Sequence, residues 1–425
     1  MHRSAAICAA LCAALAAGLA HAQGKAAPES APSLRGSELA PPALLKGPHH
    51  KVAEPVRAEG HLGRFVIESS YGKFSVHGVN MLAVRVHELP AIGELHKVRK
   101  DSAFQDALAK SASGVAKFAE STVTDPGKTV ENIGKGVGTV FGRVGYMAKQ
   151  SAAYVEDKVR DAASGSSKPA PKAAPTGEPE PPSFIGDPFG YNKARREWAQ
   201  KLQVDPYTSN PVLRPLLDDA ASATFAGDFT VSLTLGAVAA PVQYAYTFDD
   251  TVRSSVWNKP AIDLQRENQE KLVRLGVPER TVRDLLRNKW FTPTLQTALV
   301  ARLEALGRME GYEQVVRAAS ATQGEARARF LLESLAMLAD HHRKEGKLTK
   351  LRMSNLVPVG VTADGRVIAA AGIDYGSWDK DAAAFAQRKA LAGKSRTLLV
   401  AGKLSPRAKQ ELEKAGWTVK QGLRA

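Results

Sequence analysis

The chain of 425 residues carries a formal charge of +15 and two cysteines, Cys8 and Cys12. Both lie in an opening stretch that reads as an export signal, so the mature protein is expected to hold no disulfide, no thiolate metal site and no thiol nucleophile. Few aromatics and abundant Ala, Leu and Val favour helix over sheet, and the length suits two or three domains.

Residues 1–22 have the layout of a secretory signal: Arg3, an apolar run from Ala5 to Ala20, then Ala20-His21-Ala22 before a cut at Gln23. The apolar run is shorter than the roughly 20 residues a bilayer span needs. Ile7 and Leu11 stand directly before the cysteines, where a lipid-modified signal requires a small residue. A periplasmic or secreted product is therefore expected, cut between Ala22 and Gln23 and carrying a charge of +14.

Residues 23–58 are dense in Pro, Ala and charge without an apolar period and are expected to be disordered. Residues 164–183 read as a Pro/Ser/Gly linker. Between them, 59–163 is read as a β-hairpin plus helices. Arg64–Glu68 and Phe74–Val79 flank a turn through Ser70-Tyr71-Gly72. Met81, Leu82, Arg85, Leu89, Ile92 and Leu95 follow at helical spacing, with a break or bend expected at Pro90.

A second apolar stripe, Ile133, Val137, Val140, Phe141 and Val144, is interrupted by glycines. Gly134, Gly138 and Gly142 recur every four residues along one flank of that helix. Each interior glycine costs a helix about 1 kcal/mol, so the spacing implies a partner packed closely against the backbone.

Residues 184–345 are read as a helical domain. Tyr191–Leu202, a start at Asn210-Pro211, Pro260–Leu275, Glu279–Arg287, Thr292–Leu306, Tyr312–Ala321 and Gly324–Asp340 are joined by short turns, which favours an antiparallel array. The uncharged Phe229–Thr247 contains Thr, Ser, Gly and Pro and suits a buried core helix better than a membrane span.

Residues 346–425 are read as a small basic α/β module. Asn355–Val361 and Arg366–Ala371 flank an Asp-Gly hairpin turn. Thr397–Ala401, a helix from Ser405 to Ala415 and Trp417–Val419 then form a β-α-β unit. The fold expected is mainly α (α+β): a helical array with an N-terminal β-hairpin/helix module and a small C-terminal mixed α/β module.

Motifs carry less. Gly127-Lys128-Thr129 and Gly393-Lys394-Ser395 imitate the end of a phosphate loop, but Thr122 and Arg388 occupy the leading glycine positions, so no nucleotide is expected. His87 and His96 are nine residues apart across Pro90 and lack zinc-protease spacing; no metal or cofactor is expected. Ser70–Lys73 and Ser377–Lys380 match Ser-x-x-Lys outside the buried helix that such an acylase needs.

Charge is the remaining signal. Residues 341–425 hold seventeen Lys or Arg against seven Asp or Glu. Lys394, Arg396, Lys403, Arg407, Lys409 and Lys414 cluster on or beside one short helix and form a candidate anion-binding surface. Its expected partner is an anionic envelope component or lipid surface, with no base-specific nucleic-acid contact. The leading expectation is an exported, non-enzymatic protein that associates with the envelope or binds an anionic ligand. Two alternatives stand beside it: a hydrolase with dispersed acids, Asp374 and Asp379 with Tyr375 among them, and a membrane-active protein using the glycine-spaced helix.

Overall fold

The computed structural model describes residues 27–110, 137–163, 191–225 and 250–424, and its architecture is mixed α/β. The stretch 1–22 expected to be an export signal, Gly134, the expected linker 164–183 and Phe229–Thr247 lie outside the described residues. Gly138 and Gly142 fall in a described helix, but their surroundings are likewise outside.

The N-terminal sheet is built around β5 (Leu62–Ser69), which pairs antiparallel with β6 (Gly72–His77). Alternation puts Phe65, Ile67, Phe74 and Val76 on one buried face. The disorder expected for 23–58 does not hold over 33–58. This stretch supplies β1 (Ser33–Leu34), β2 (Lys46–Gly47), β3 (His50–Val52) and most of β4 (Val56–Glu59), with one-turn helices at Gly36–Leu39 and Pro42–Leu45. These pieces are too short for either periodicity to show in sequence. They are ordered by pairing with β5 and by burying Leu44, Val52 and Val56.

Helix α1 (Val79–Val98) runs through Pro90 without ending. The expected break is overridden by burial: Leu82, Leu89, Ala91, Ile92 and Leu95 all sit in the core, outweighing the hydrogen bond that proline cannot donate. Trp198 and Leu202 join the same core from near the end of the sequence's first post-linker helix, as do Leu213, Leu217 and Ala220. One core therefore spans the boundary drawn at the linker.

Helix α2 (Val137–Ala163) is followed by α3 (Tyr191–Lys201), α4 (Leu213–Phe225), α5 (Asp250–Asn258), α6 (Ala261–Arg274), α7 (Glu279–Leu286), α8 (Pro293–Ala305), α9 (Tyr312–Ser320) and α10 (Glu325–Lys344). Among the described residues, no helix is long and apolar enough to cross a membrane.

The C-terminal sheet has the order β13-β11-β9-β8-β7. Strands β7 (Leu348–Ser354), β8 (Val357–Thr362) and β9 (Val367–Ala371) pair antiparallel. Strand β9, β11 (Arg396–Val400) and β13 (Trp417–Lys420) pair parallel. Helix α11 (Lys380–Ala386) follows a short β10 (Tyr375–Gly376), and β12 (Lys403–Leu404) precedes α12 (Pro406–Lys414), the crossover between β11 and β13. Strand β9 is buried on both faces, as a continuous apolar run in a covered sheet should be. Ile368 and Ala370 join the helical core, whereas Val367, Ala369 and Ala371 join a second one beneath α11 and α12.

Candidate ligand-binding cleft

The β4–β5 turn consists of Gly60 (φ +57°) and His61 (φ +68°), both in the left-handed region that a tight two-residue hairpin demands. The turn docks on the C-terminal module. His61 O accepts from the Asp374 and Tyr375 amides (3.0 and 3.2 Å), and His61 Nε2 lies 3.3 Å from Asp379 Oδ2.

Asp374 is the hub of this contact. Its carboxylate accepts from the Gly63 amide (2.8 Å) and from the Val79 amide at the start of α1 (3.1 Å), and it pairs with Arg424 (2.7 Å). Its side chain is 0% exposed. Arg424 also reaches Glu333 on α10 (2.8 Å). Burial works against the Arg424 charge, yet Asp374 and Glu333 hold its pKa above the ordinary value. Gly402 completes the joint: a Cβ there would collide with the Asp374 carbonyl. Glu29 adds a clamp, accepting from the Trp378 amide and the Ser405 hydroxyl (both 2.6 Å).

Between the docked turn, α10, α11 and α12 lies a cleft of about 590 Å³. Phe330, Leu356, Ile373, Phe385, Leu398 and Leu404 give it apolar walls. Its polar lining includes Glu59, His77, Arg388 and Arg327. His77 Nε2 lies 3.2 Å from Glu59, and Arg388 donates to the Ser354 hydroxyl (2.7 Å). Arg327, exposed on α10, makes no ion pair with a described residue. This volume and mixture suit a small amphipathic molecule.

The structure uses the residues singled out in sequence differently. Asp374 serves as the structural hub, and Asp379 caps α11 through the Ala382 amide (2.8 Å) while pairing with His61. Burial raises the Tyr375 phenol above its ordinary value.

Of the basic cluster, Arg396 is committed to structure, donating to the Ala386 and Ala415 carbonyls behind α11 and α12 and lying over the Trp417 ring. It is not a free anion donor, because the open carbonyls of two helix ends compete for its guanidinium. Lys409 and Lys414 pair with Glu413 and Glu411 along α12 (4.0 and 2.8 Å). Lys394 and Lys403 are exposed and Arg407 is half-buried. None of the six lines the cleft, although Lys403 and Arg407 adjoin the lining residues Leu404 and Ala408.

A buried polar layer beneath α10 was not foreseen. Glu88 accepts from Arg85 (2.9 Å), Asn210 (2.8 Å) and Thr208; Glu325 accepts from Arg329 (2.9 Å) and Ser209. Burial alone would raise the Glu325 carboxyl, but Arg329 and Arg85 bring it below its ordinary value. The layer fixes the start of the helix that carries Arg327 and Phe330. Arg85 on an otherwise apolar stripe was its sequence signal.

His87 Nε2 contacts the Gln203 carbonyl (2.7 Å), whereas His96 stacks on Tyr71, so the two rings serve different surroundings. Among the described residues no group of three or more His, Cys, Asp or Glu side chains could hold a metal ion. No protein-family model matches the chain, and no curated protein or solved structure is similar to it.

Proposed function

We propose that this protein is an exported, non-catalytic binding protein that holds a small amphipathic molecule with an anionic head. The apolar part of the ligand occupies the cleft, and the head lies at Arg327. The carrying observation is a cavity of about 590 Å³ with apolar walls drawn from three parts of the chain and a cation on its lining that makes no ion pair with a described residue. An envelope lipid or its fatty-acid fragment has this chemistry, consistent with the basic surface around Lys403 and Arg407.

The test is displacement of an anionic naphthalene dye from the full chain by decanoate. Arg327→Glu should weaken decanoate binding by about tenfold, the loss of one partly solvated charge contact. Ala384→Trp, on an exposed position that lines the cleft, should abolish displacement while leaving the melting temperature unchanged. Decanoate binding that is equal in Ala384→Trp and the parent chain sinks the proposal.

A further inference from the structure

A second cavity, of about 440 Å³, lies between α3, α5 and the start of α6. Its lining includes Arg143, Lys193, Arg196, Glu197, Trp257 and Asn258. Its chemistry differs from that of the cleft because it centres on a buried guanidinium. Arg196 is 7% exposed, its Nη1 donates to the Asn192 carbonyl (3.0 Å), and it also hydrogen-bonds the Tyr207 hydroxyl. Among the described residues its Nε has no partner and no carboxylate pairs with it.

The neighbouring cations each have a carboxylate partner, and Asp218 and Asp263 are also approached by Arg214 and Arg266 (both 3.8 Å). Arg143 pairs with Asp263 (2.6 Å), Arg195 with Asp218 (2.9 Å) and Lys193 with Glu197 (3.7 Å). Among the described residues Arg196 is thus a desolvated positive charge that faces only neutral acceptors. A guanidinium cannot escape this by losing its proton, as a lysine could. Removing an ion from water without a counter-charge is costly, and a bound anion offsets that cost. The cavity is larger than a carboxylate or phosphate group alone. Trp257 uses its indole N–H on the Val204 carbonyl (2.9 Å), so its ring offers an apolar surface.

We propose that Arg196 anchors a site for a small organic oxyanion, a carboxylate or a phosphate monoester, with its charged end on the guanidinium and its organic part beside Trp257. The planar fork of Arg196 matches the oxygens of either group.

The test is calorimetric titration and thermal melting of the full chain with benzoate and with phenyl phosphate, against potassium chloride at matched ionic strength. At least one oxyanion should bind and raise the melting temperature, and the preferred one identifies the class. Arg196→Met should weaken that binding by about 10- to 100-fold, the span of a lost charge-assisted hydrogen bond. Lys201→Gln, at an exposed position at the end of α3 outside the cavity lining, should change it less than about threefold. Without anion, Arg196→Met should melt no lower than the parent chain, because it removes an uncompensated buried charge. Neither oxyanion exceeding chloride, equal binding by Arg196→Met, or an Arg196→Met chain that cannot fold would each overturn the proposal. Ala384→Trp, which plugs the other cavity, should leave this binding unchanged.

Discussion

The two cavities have walls held by different means. The β4–β5 turn at the cleft is fixed by Asp374, which is sealed from solvent and satisfied by two backbone amides and Arg424. The polar cavity takes Arg143 from α2, a helix attached through side-chain pairs. Arg143 meets Asp263, Tyr146 and Gln150 meet Gln269, Asp157 meets Arg283 and Arg287, and Asp161 meets Arg280. Along the same helix Tyr154, Val155 and Val159 remain exposed. Backbone-anchored burial gives a fixed wall, whereas side-chain pairing gives one whose attachment depends on pH and salt.

Asp374 carries the largest expected effect. Asp374→Ala leaves Arg424 without one partner and two amides without an acceptor, so unfolding by urea should show a loss of about 3 to 5 kcal/mol. A loss below about 1 kcal/mol would mean that the turn is held by something else. Gly402→Ala should cost about 1 to 3 kcal/mol by forcing the Asp374 backbone aside.

Acid acts on the wall that α2 supplies. Burial opposes ionisation of Asp157, yet Arg283 and Arg287 hold its pKa at about 2. A carboxyl depressed in the folded state gives stability that is complete above its ordinary range and is lost as pH falls from about 4 to about 2. The loss should be about 2 kcal/mol, read as rising amide exchange across residues 143–161. Asp157→Asn should show this exchange already at neutral pH and no further rise in that window. An α2 equally protected at pH 2 and pH 7 would contradict the distinction.

Smaller effects mark the boundary of both regions. His61→Ala removes a partly exposed pair with Asp379 and should cost at most about 1 kcal/mol. Lys409→Ala and Lys414→Ala should change stability by less than about 0.5 kcal/mol, since each loses a surface pair on α12.

The regular elements were legible where one face repeated for long enough. The 62–77 hairpin, the helices from α6 to α10 and the β11-α12-β13 crossover follow from spacing, and Ser405 caps α12 through the Ala408 amide (2.9 Å) as its position before Pro406 suggests. The short strands between 33 and 59 were hidden because two to four residues cannot display a period. The cleft was hidden for another reason. Its lining comes from positions as distant as Glu59, Phe330 and Leu412, and no local pattern relates them.

Sequence alone determined the mixture of helices and late strands, the confinement of both cysteines to the first 22 residues and the basic excess near the C-terminal end, because composition and periodicity are local properties. Tertiary structure decided which charges are available. It turned Arg396 into a cap for two helix ends, Asp374 into a joint and Arg196 into a buried cation that no described carboxylate pairs with. An ionisable side chain acquires its role from the dielectric and the partners around it, and those are set only when distant segments meet.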